Sequence, residues 1–180
     1  MDRESAIITP GNKPFIATRF LPKTGQTTIY GNFDDGKYRK GWDIGDRFVP
    51  KTIGGDAVVF DRATGLMWPT DGSAAGCNND AAMDWNSSRL WPEALIFAGY
   101  SDWRLPNIFE LGSIGCFENF NPCLYPGYWI NMSDNFYWTS TTFAVITSEA
   151  WVIYMGMSNT STSPKTQLHR VMAVRAGPPG

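Results

Sequence analysis

"AGYSDWRLPNIFEL", residues 98–111, packs a glycine, a tryptophan, an arginine and two differently placed polar residues into a run too irregular for one helix or one strand. It reads as a corner. Gly99 takes the left-handed conformation that ends a preceding helix, and Tyr100 to Asp102 turn the chain. Trp103 and Leu105 then point the same way from a short extended piece, because alternate strand residues share a face. Pro106 and Asn107 launch the next helix: Asn107 followed three positions later by Glu110 has capping-box spacing, with Ile108, Leu111 and Ile114 on one face. The stretch is scaffold, and Arg104 is available to pair with a nearby acid without any catalytic role.

Upstream, "DWNSSRLWPEALIFA" (84–98) offers Asp84 as a cap and apolar Leu90, Trp91, Ala94, Leu95 and Ala98 at spacings of three and four, the pattern of a helix. Pro92 either kinks it or opens a second short helix. "DAVVFDRATGLMW" (56–68) reads as a β-hairpin turning between Asp61 and Gly65. Downstream, "FYWTSTTF" (136–143), "EAWVIYMGM" (149–157) and "HRVMAVRA" (169–176) read as strands. In the second, Trp151, Ile153 and Met155 form the core face and Val152 and Tyr154 the opposite one. Residues 1–55, rich in Gly, Pro, Thr and Asp, predict turns that wrap the core, anchored by Phe15, Ile16, Phe20, Leu21, Ile29, Tyr30, Trp42 and Phe48. Helices in the middle and strands at both ends predict a loop-rich α+β fold with pairing terminal strands, in a single domain over 1–180.

With 180 residues, 43% hydrophobic and 18% charged, the chain is globular and long enough to bury roughly 70% of its unfolded surface. A net charge of −2 without a basic run argues against nucleic acid as a partner. No apolar stretch approaches a membrane span and the first residues lack signal-peptide character, so no membrane insertion is expected; a removed leader or another export route stays open. Of the three cysteines, Cys116 and Cys123 bracket "CFENFNPC" and either bond to each other in an oxidising compartment or stay reduced, with Cys77 unpaired.

Little in the sequence asks for catalysis. The one histidine, His169, lies beside Arg170 without a nucleophile elbow or an orienting acid in pattern. Cysteine and histidine spacings fit no zinc set, and Asp34 and Asp35 lack the alternating ligands of a calcium loop. No phosphate-cradling loop appears, since Gly54 and Gly55 precede neither a lysine nor a helix. The expectation is therefore no catalytic residue, no metal and no cofactor. The eight tryptophans are mainly core residues, whereas aromatics on a strand's outward face, such as Tyr154, are binding candidates.

In their order along residues 21–177, "LPKTGQT", "DDGKYRKG", "VVFDRATGLMW", "AGYSDWRLPNIFEL", "FYWTSTTF", "AWVIYMG" and "VMAVRAG" together resemble a known domain. It is the domain at the C-terminus of the Legionella collagen-like adhesin, found in many bacterial, phage and archaeal proteins and a branch of the formylglycine-generating-enzyme type of C-type lectin fold. The resemblance implies a C-type lectin-like fold with two helices and a mixed, mainly antiparallel sheet. It also implies a function, because the family includes variable proteins of diversity-generating retroelements, whose C-terminal segment is rewritten at template adenines. Such rewriting of Asn-type codons cannot yield Met, Trp, Lys, Glu or Gln. In the tail, 138–177, those types are Trp138, Glu149, Trp151, Met155, Met157, Lys165, Gln167 and Met172. Between them lie reachable types at positions expected to be exposed: Phe143, Val145, Ile146, Tyr154, Ser158, Asn159, Thr160, Ser161, Leu168 and His169.

The expected function is a ligand-binding module presenting these ten side chains to an unknown macromolecule, a protein or cell-surface molecule, from a virion or cell surface. The Glu-Pro-Asn and Trp-Asn-Asp calcium motifs of sugar-binding lectins are absent. One rival is a fixed-specificity adhesin for glycan or sulfated polysaccharide, which has only Lys165, His169, Arg170 and Arg175 as a modest basic concentration. A second, an oxidase related to the formylglycine-generating enzymes, needs reactive cysteines late in the chain, and here the last is Cys123.

Overall fold

The computed structural model describes residues 21–41 and 47–177. The hairpin forms as read: β2 (Asp56–Asp61) and β3 (Leu66–Pro69) pair antiparallel with Val59 opposite Trp68. β1 (Phe48–Ile53) joins the free side of β2, and β7 (Arg175–Ala176) joins β3, giving the order β1-β2-β3-β7. A second antiparallel sheet follows in chain order: β4 (Phe136–Thr142), β5 (Glu149–Tyr154) and β6 (Asn159–Pro164).

The three α-helices among the described residues are short: α1 (Asp35–Tyr38), α2 (Trp85–Leu90) and α3 (Ile108–Ser113). The molecule is α+β, mostly strands, and consistent with a small loop-rich lectin-like domain. Its strands make two sheets where one was expected. The physical reason is the path of residues 169–174, which touch their neighbours through single bridges, Met83 to His169, Tyr137 to Arg170 and Arg104 to Val174, and so carry no continuous ladder between the sheets.

That path fills the centre. Val171, Met172, Ala173 and Val174 are fully buried and distribute among three apolar clusters. Met172 and Val174 share a cluster with Trp68, Leu111, Ile114, Tyr137 and Ile153; Ala173 shares one with Val58, Met67 and Trp103; Val171 shares one with Trp85, Leu105, Trp138 and Val152. Trp103 and Leu105 therefore plug two different clusters while the intervening Arg104 stays exposed and pairs with Glu110 at 2.6 Å.

The corner departs from expectation at one residue. The helical stretch ends with a 3-10 turn at Trp91–Ala94, in which Pro92 is the second residue, and Leu95 is already extended. Gly99 instead shares a tight turn with Ala98 (φ 73° and 51°), across which Phe97 and Tyr100 exchange both backbone hydrogen bonds at 3.0 Å. Both central residues at positive φ make the type of reversal that suits a strand pair's twist. Beyond it, Asn107 caps α3 with a complete capping box, and Asp84 caps α2 through the Asn86 and Ser87 N–H groups.

The anchoring of the N-terminal part also differs. Phe48 is buried, but Leu21, Ile29 and Tyr30 are exposed; Phe15, Ile16, Phe20 and Trp42 lie outside the described residues. Polar bonds hold residues 21–41 instead. Glu118 accepts from the backbone N–H groups of Thr27 and Thr28, the Tyr125 hydroxyl donates to the Lys23 carbonyl, and the Phe117 N–H donates to the Thr24 carbonyl. Asp34 caps α1 and also accepts from the Tyr30 and Gly31 N–H groups, bonds that draw its carboxyl below the usual range. All three cysteines are buried free thiols, and the Cys123 thiol donates to the Cys116 carbonyl at 2.9 Å.

Candidate functional site

The second sheet carries the candidate segment, and its register assigns each side chain a face. Phe136 lies opposite Tyr154 and Tyr154 opposite Asn159; Trp138 lies opposite Val152 and Val152 opposite Ser161. These residues share one face, since directly opposite residues project to the same side. The other face holds Tyr137, Ile153 and Thr160, then Trp151 and Thr162. Both faces of β5 are therefore covered. Val152 packs on Trp85 and Val171, and Ile153 packs on Leu111 and Ile114 of the α3 region. The expectation of one core face holds for Ile153 and Met155, but Val152 is as buried as they are and Trp151 is only half-buried.

The ten candidate residues fall into two groups and three single positions. One group surrounds Phe136: its ring lies 5.1 Å from Tyr154 and 5.6 Å from His169, with Asn159 and Ser161 on the same face. His169 is half-buried, with its ring 4.6 Å from Trp138, and its Nε2 shares a 2.7 Å hydrogen bond with the Ser163 hydroxyl. Burial pushes the His169 pKa below its ordinary value, since a charged imidazolium loses hydration there. The other group is the loop from β4 to β5. Phe143 rests edge-on against Trp151 at 5.3 Å, while Val145 is 81% exposed and Ile146 46%.

The three remaining positions differ from one another. Thr160 is exposed on β6, and Leu168 is exposed beside His169. Ser158, at φ 54° in the β5–β6 turn, spends its hydroxyl on the Cys123 carbonyl at 3.1 Å and so faces inward.

Phe136 and Trp151, half-buried themselves, are the platforms that sequence reading did not place in the site. The signal was present in the strand alternation, because Phe136 and Tyr154 each begin or end a strand where the covering elements stop.

The modest basic concentration is engaged internally. Lys165 donates from Nζ to Thr142 Oγ1 at 3.0 Å and to the Thr147 carbonyl at 2.9 Å, and sits 3.9 Å from the Trp85 ring centre. Arg170 pairs with Asp80 at 3.2 Å, and Arg175 is buried in a two-pronged pair with Asp102 at 2.6 and 3.0 Å. The hydrogen bond from Arg175 pulls the Asp102 carboxyl below the usual range. Among the described residues no group of three or more His, Cys, Asp or Glu is placed to hold a metal ion, and no helix is long and apolar enough to cross a membrane.

This frame, from the hairpin to the buried Arg175, is what the family model for the Lcl C-terminal domain matches, over residues 57–175. The chain belongs to that family. Its Lcl domain thus spans β2 to the first residue of β7 and contains all ten candidate positions, whereas α1 and β1 precede the matched span. Among curated proteins, no sequence matches the chain.

Proposed function

We propose that this Lcl domain is a ligand-binding module that presents side chains of residues 142–169 on a fixed backbone, and that it serves as the variable protein of a diversity-generating retroelement. The observation that carries the reading is how residue types divide along the tail. Trp138, Met155 and Met172, types that adenine-directed change of Asn codons cannot produce, are each at most 1% exposed and lie in the core, beside equally buried Val152, Ile153 and Val171, reachable types that the reading also makes constant. Reachable types occupy the surface at Val145, Ile146, Asn159, Thr160 and Leu168. Met157 and Gln167 are unreachable types that are exposed, and the reading makes them constant surface positions. Binding through rings and small polar groups on a rigid frame costs little ordering entropy.

Sequencing the 3′ end of the gene and its flanking DNA across the source population tests this. Adenine-templated variation within codons 142–169, beside a near-copy repeat and a reverse transcriptase gene, is the expected result; an invariant tail overturns the diversified reading. The family match favours a second reading, a fixed-specificity adhesin for glycan or sulfated polysaccharide. Lys165, Arg170 and Arg175 are occupied by internal partners, which leaves this surface without a concentrated anion site. Retention on heparin that depends on Lys165 would support the adhesin. The Lcl domain is proposed not to be an enzyme, and thiol-dependent oxidation of a cysteine peptide would contradict that.

A further inference from the structure

Strand β6 is the outer member of its sheet and pairs with β5 alone among the described residues. Which of its backbone groups face outward follows from the ladder. The Lys165 N–H donates to the Ser148 carbonyl at 2.9 Å, one step beyond the Glu149–Pro164 pair, and an antiparallel ladder repeats every second residue. Ser163, Ser161 and Asn159 therefore turn their backbone groups toward β5, and Thr160, Thr162 and Pro164 turn theirs away. Pro164, which has no N–H, occupies an outward position where none is required. The opposite parity on β5 agrees: the Met155 N–H and the Glu149 carbonyl bond toward the β4 side, to Asn135 and Phe143. No described residue takes the outward N–H of Thr160 or Thr162, and the Thr162 carbonyl receives only a 3.4 Å contact from the Ser161 hydroxyl.

An edge of this kind is usually guarded by charge, proline or a bulge. β1, one edge of the first sheet, carries Pro50 and Lys51 in its middle; β6, "NTSTSP", has no charge and its one proline is at the end.

We propose that β6 receives an extended segment of a partner protein as a fourth strand, held by the outward backbone groups of Thr160 and Thr162. This rests on the reading of residues 142–169 as a ligand surface and assigns that surface a partner class. Main-chain bonding supplies affinity and alternate side chains supply selectivity in such additions. The small side chains of β6 leave two ring pairs standing one strand further in, Tyr154 with Phe136 on one face and Trp151 with Phe143 on the other. A second copy of β6 would bring only hydroxyl, amide and proline side chains and leave those rings uncovered. The fitting partner is an uncharged strand with large apolar residues on both faces. The backbone groups would also stay constant while the side chains of the tail varied.

Selection of displayed random peptides on the intact protein is the test, followed by binding of one synthesised winner. The expected winner binds the native protein, loses about tenfold in affinity with Thr162→Pro, which removes an outward N–H and puts a ring carbon in its place, and stays within about twofold with Thr162→Ala, which removes the same side chain but keeps the N–H. Thr160→Pro replaces the first variant if its unfolding midpoint has moved. Amide exchange at Thr160 and Thr162, rapid in the free protein, slows when the peptide binds. Failure to enrich any peptide overturns the proposal, as does a dimer in which those two amides are already protected. A winner that binds Thr162→Pro unchanged but is lost with Tyr154→Ala also overturns strand addition, while leaving the ligand surface standing. An invariant tail in the population removes diversification alone.

Discussion

The two sheets of this molecule are built from the same kind of strand and finished in opposite ways. In the first, polar groups are turned inward and fastened: Asp61 is wholly buried and accepts from Arg47 Nε at 2.9 Å, Arg47 Nη2 at 2.7 Å, the Ala63 N–H at 3.0 Å and the Thr64 hydroxyl at 2.8 Å. Arg47 also lies 4.4 Å from the Phe48 ring centre, within a group of rings that includes Tyr125, Tyr128 and Trp129. In the second, the outer strand carries hydroxyls, and Phe136, Phe143, Trp151 and Tyr154 stop half-buried while Tyr137 and Trp138 are fully buried. One sheet is a fixture and the other, on the proposed reading, a workface.

The largest expected effect breaks the fixture. Asp61→Ala leaves the Arg47 guanidinium with one carbonyl partner, Ser113, and should cost about 3–5 kcal/mol, read by denaturant unfolding. Trp138→Ala, in the workface but behind it, should cost about the same, since a fully buried indole that donates to the Met83 carbonyl is removed. Equal losses from the two would show that the boundary runs between core and surface rather than between sheets. Asn107→Ala removes the α3 cap and should cost about 1 kcal/mol.

A pH scan sharpens the comparison. His169 has a folded pKa below its unfolded value of 6.5, so the unfolded chain takes up the proton first. Its contribution to stability is complete above about pH 7, begins to fall as pH drops through the unfolded pKa, and continues to fall until the depressed folded pKa is passed. His169→Gln should flatten that part of the profile. The smallest effect belongs to Val145→Ser with Ile146→Ser, each within about 0.5 kcal/mol in stability because both side chains are exposed, while ligand binding falls.

What was legible beforehand was local. The hairpin needs only Val58, Val59, Gly65 and Trp68 in order, and the caps at Asp84 and Asn107 are written within a few residues of each helix start. What was not legible depends on distant partners. Leu21, Ile29 and Tyr30 look like anchors by type, yet Glu118, about ninety residues away, holds their segment through backbone N–H groups. Gly99 carries the same positive φ for a helix end as for a tight turn, and only the Phe97–Tyr100 pairing separates the two. In the site, Val145 and Ile146 stand out because apolar residues are unusual in a loop. Phe136 and Trp151 pass for core because half-burial is decided by where the covering elements end.

The burial of residues 171–174 bears on how the protein is made. Met172 and Val174 belong to a cluster with residues as distant in sequence as Phe48 and Trp68, and the Ala173 N–H bonds the Gly76 carbonyl. During synthesis, a nascent chain that has emerged only as far as β6 has every strand but β7, yet an empty centre. Folding of the domain therefore waits until residues 171–174 have left the ribosome, and a message cut short before them yields a chain open to proteolysis.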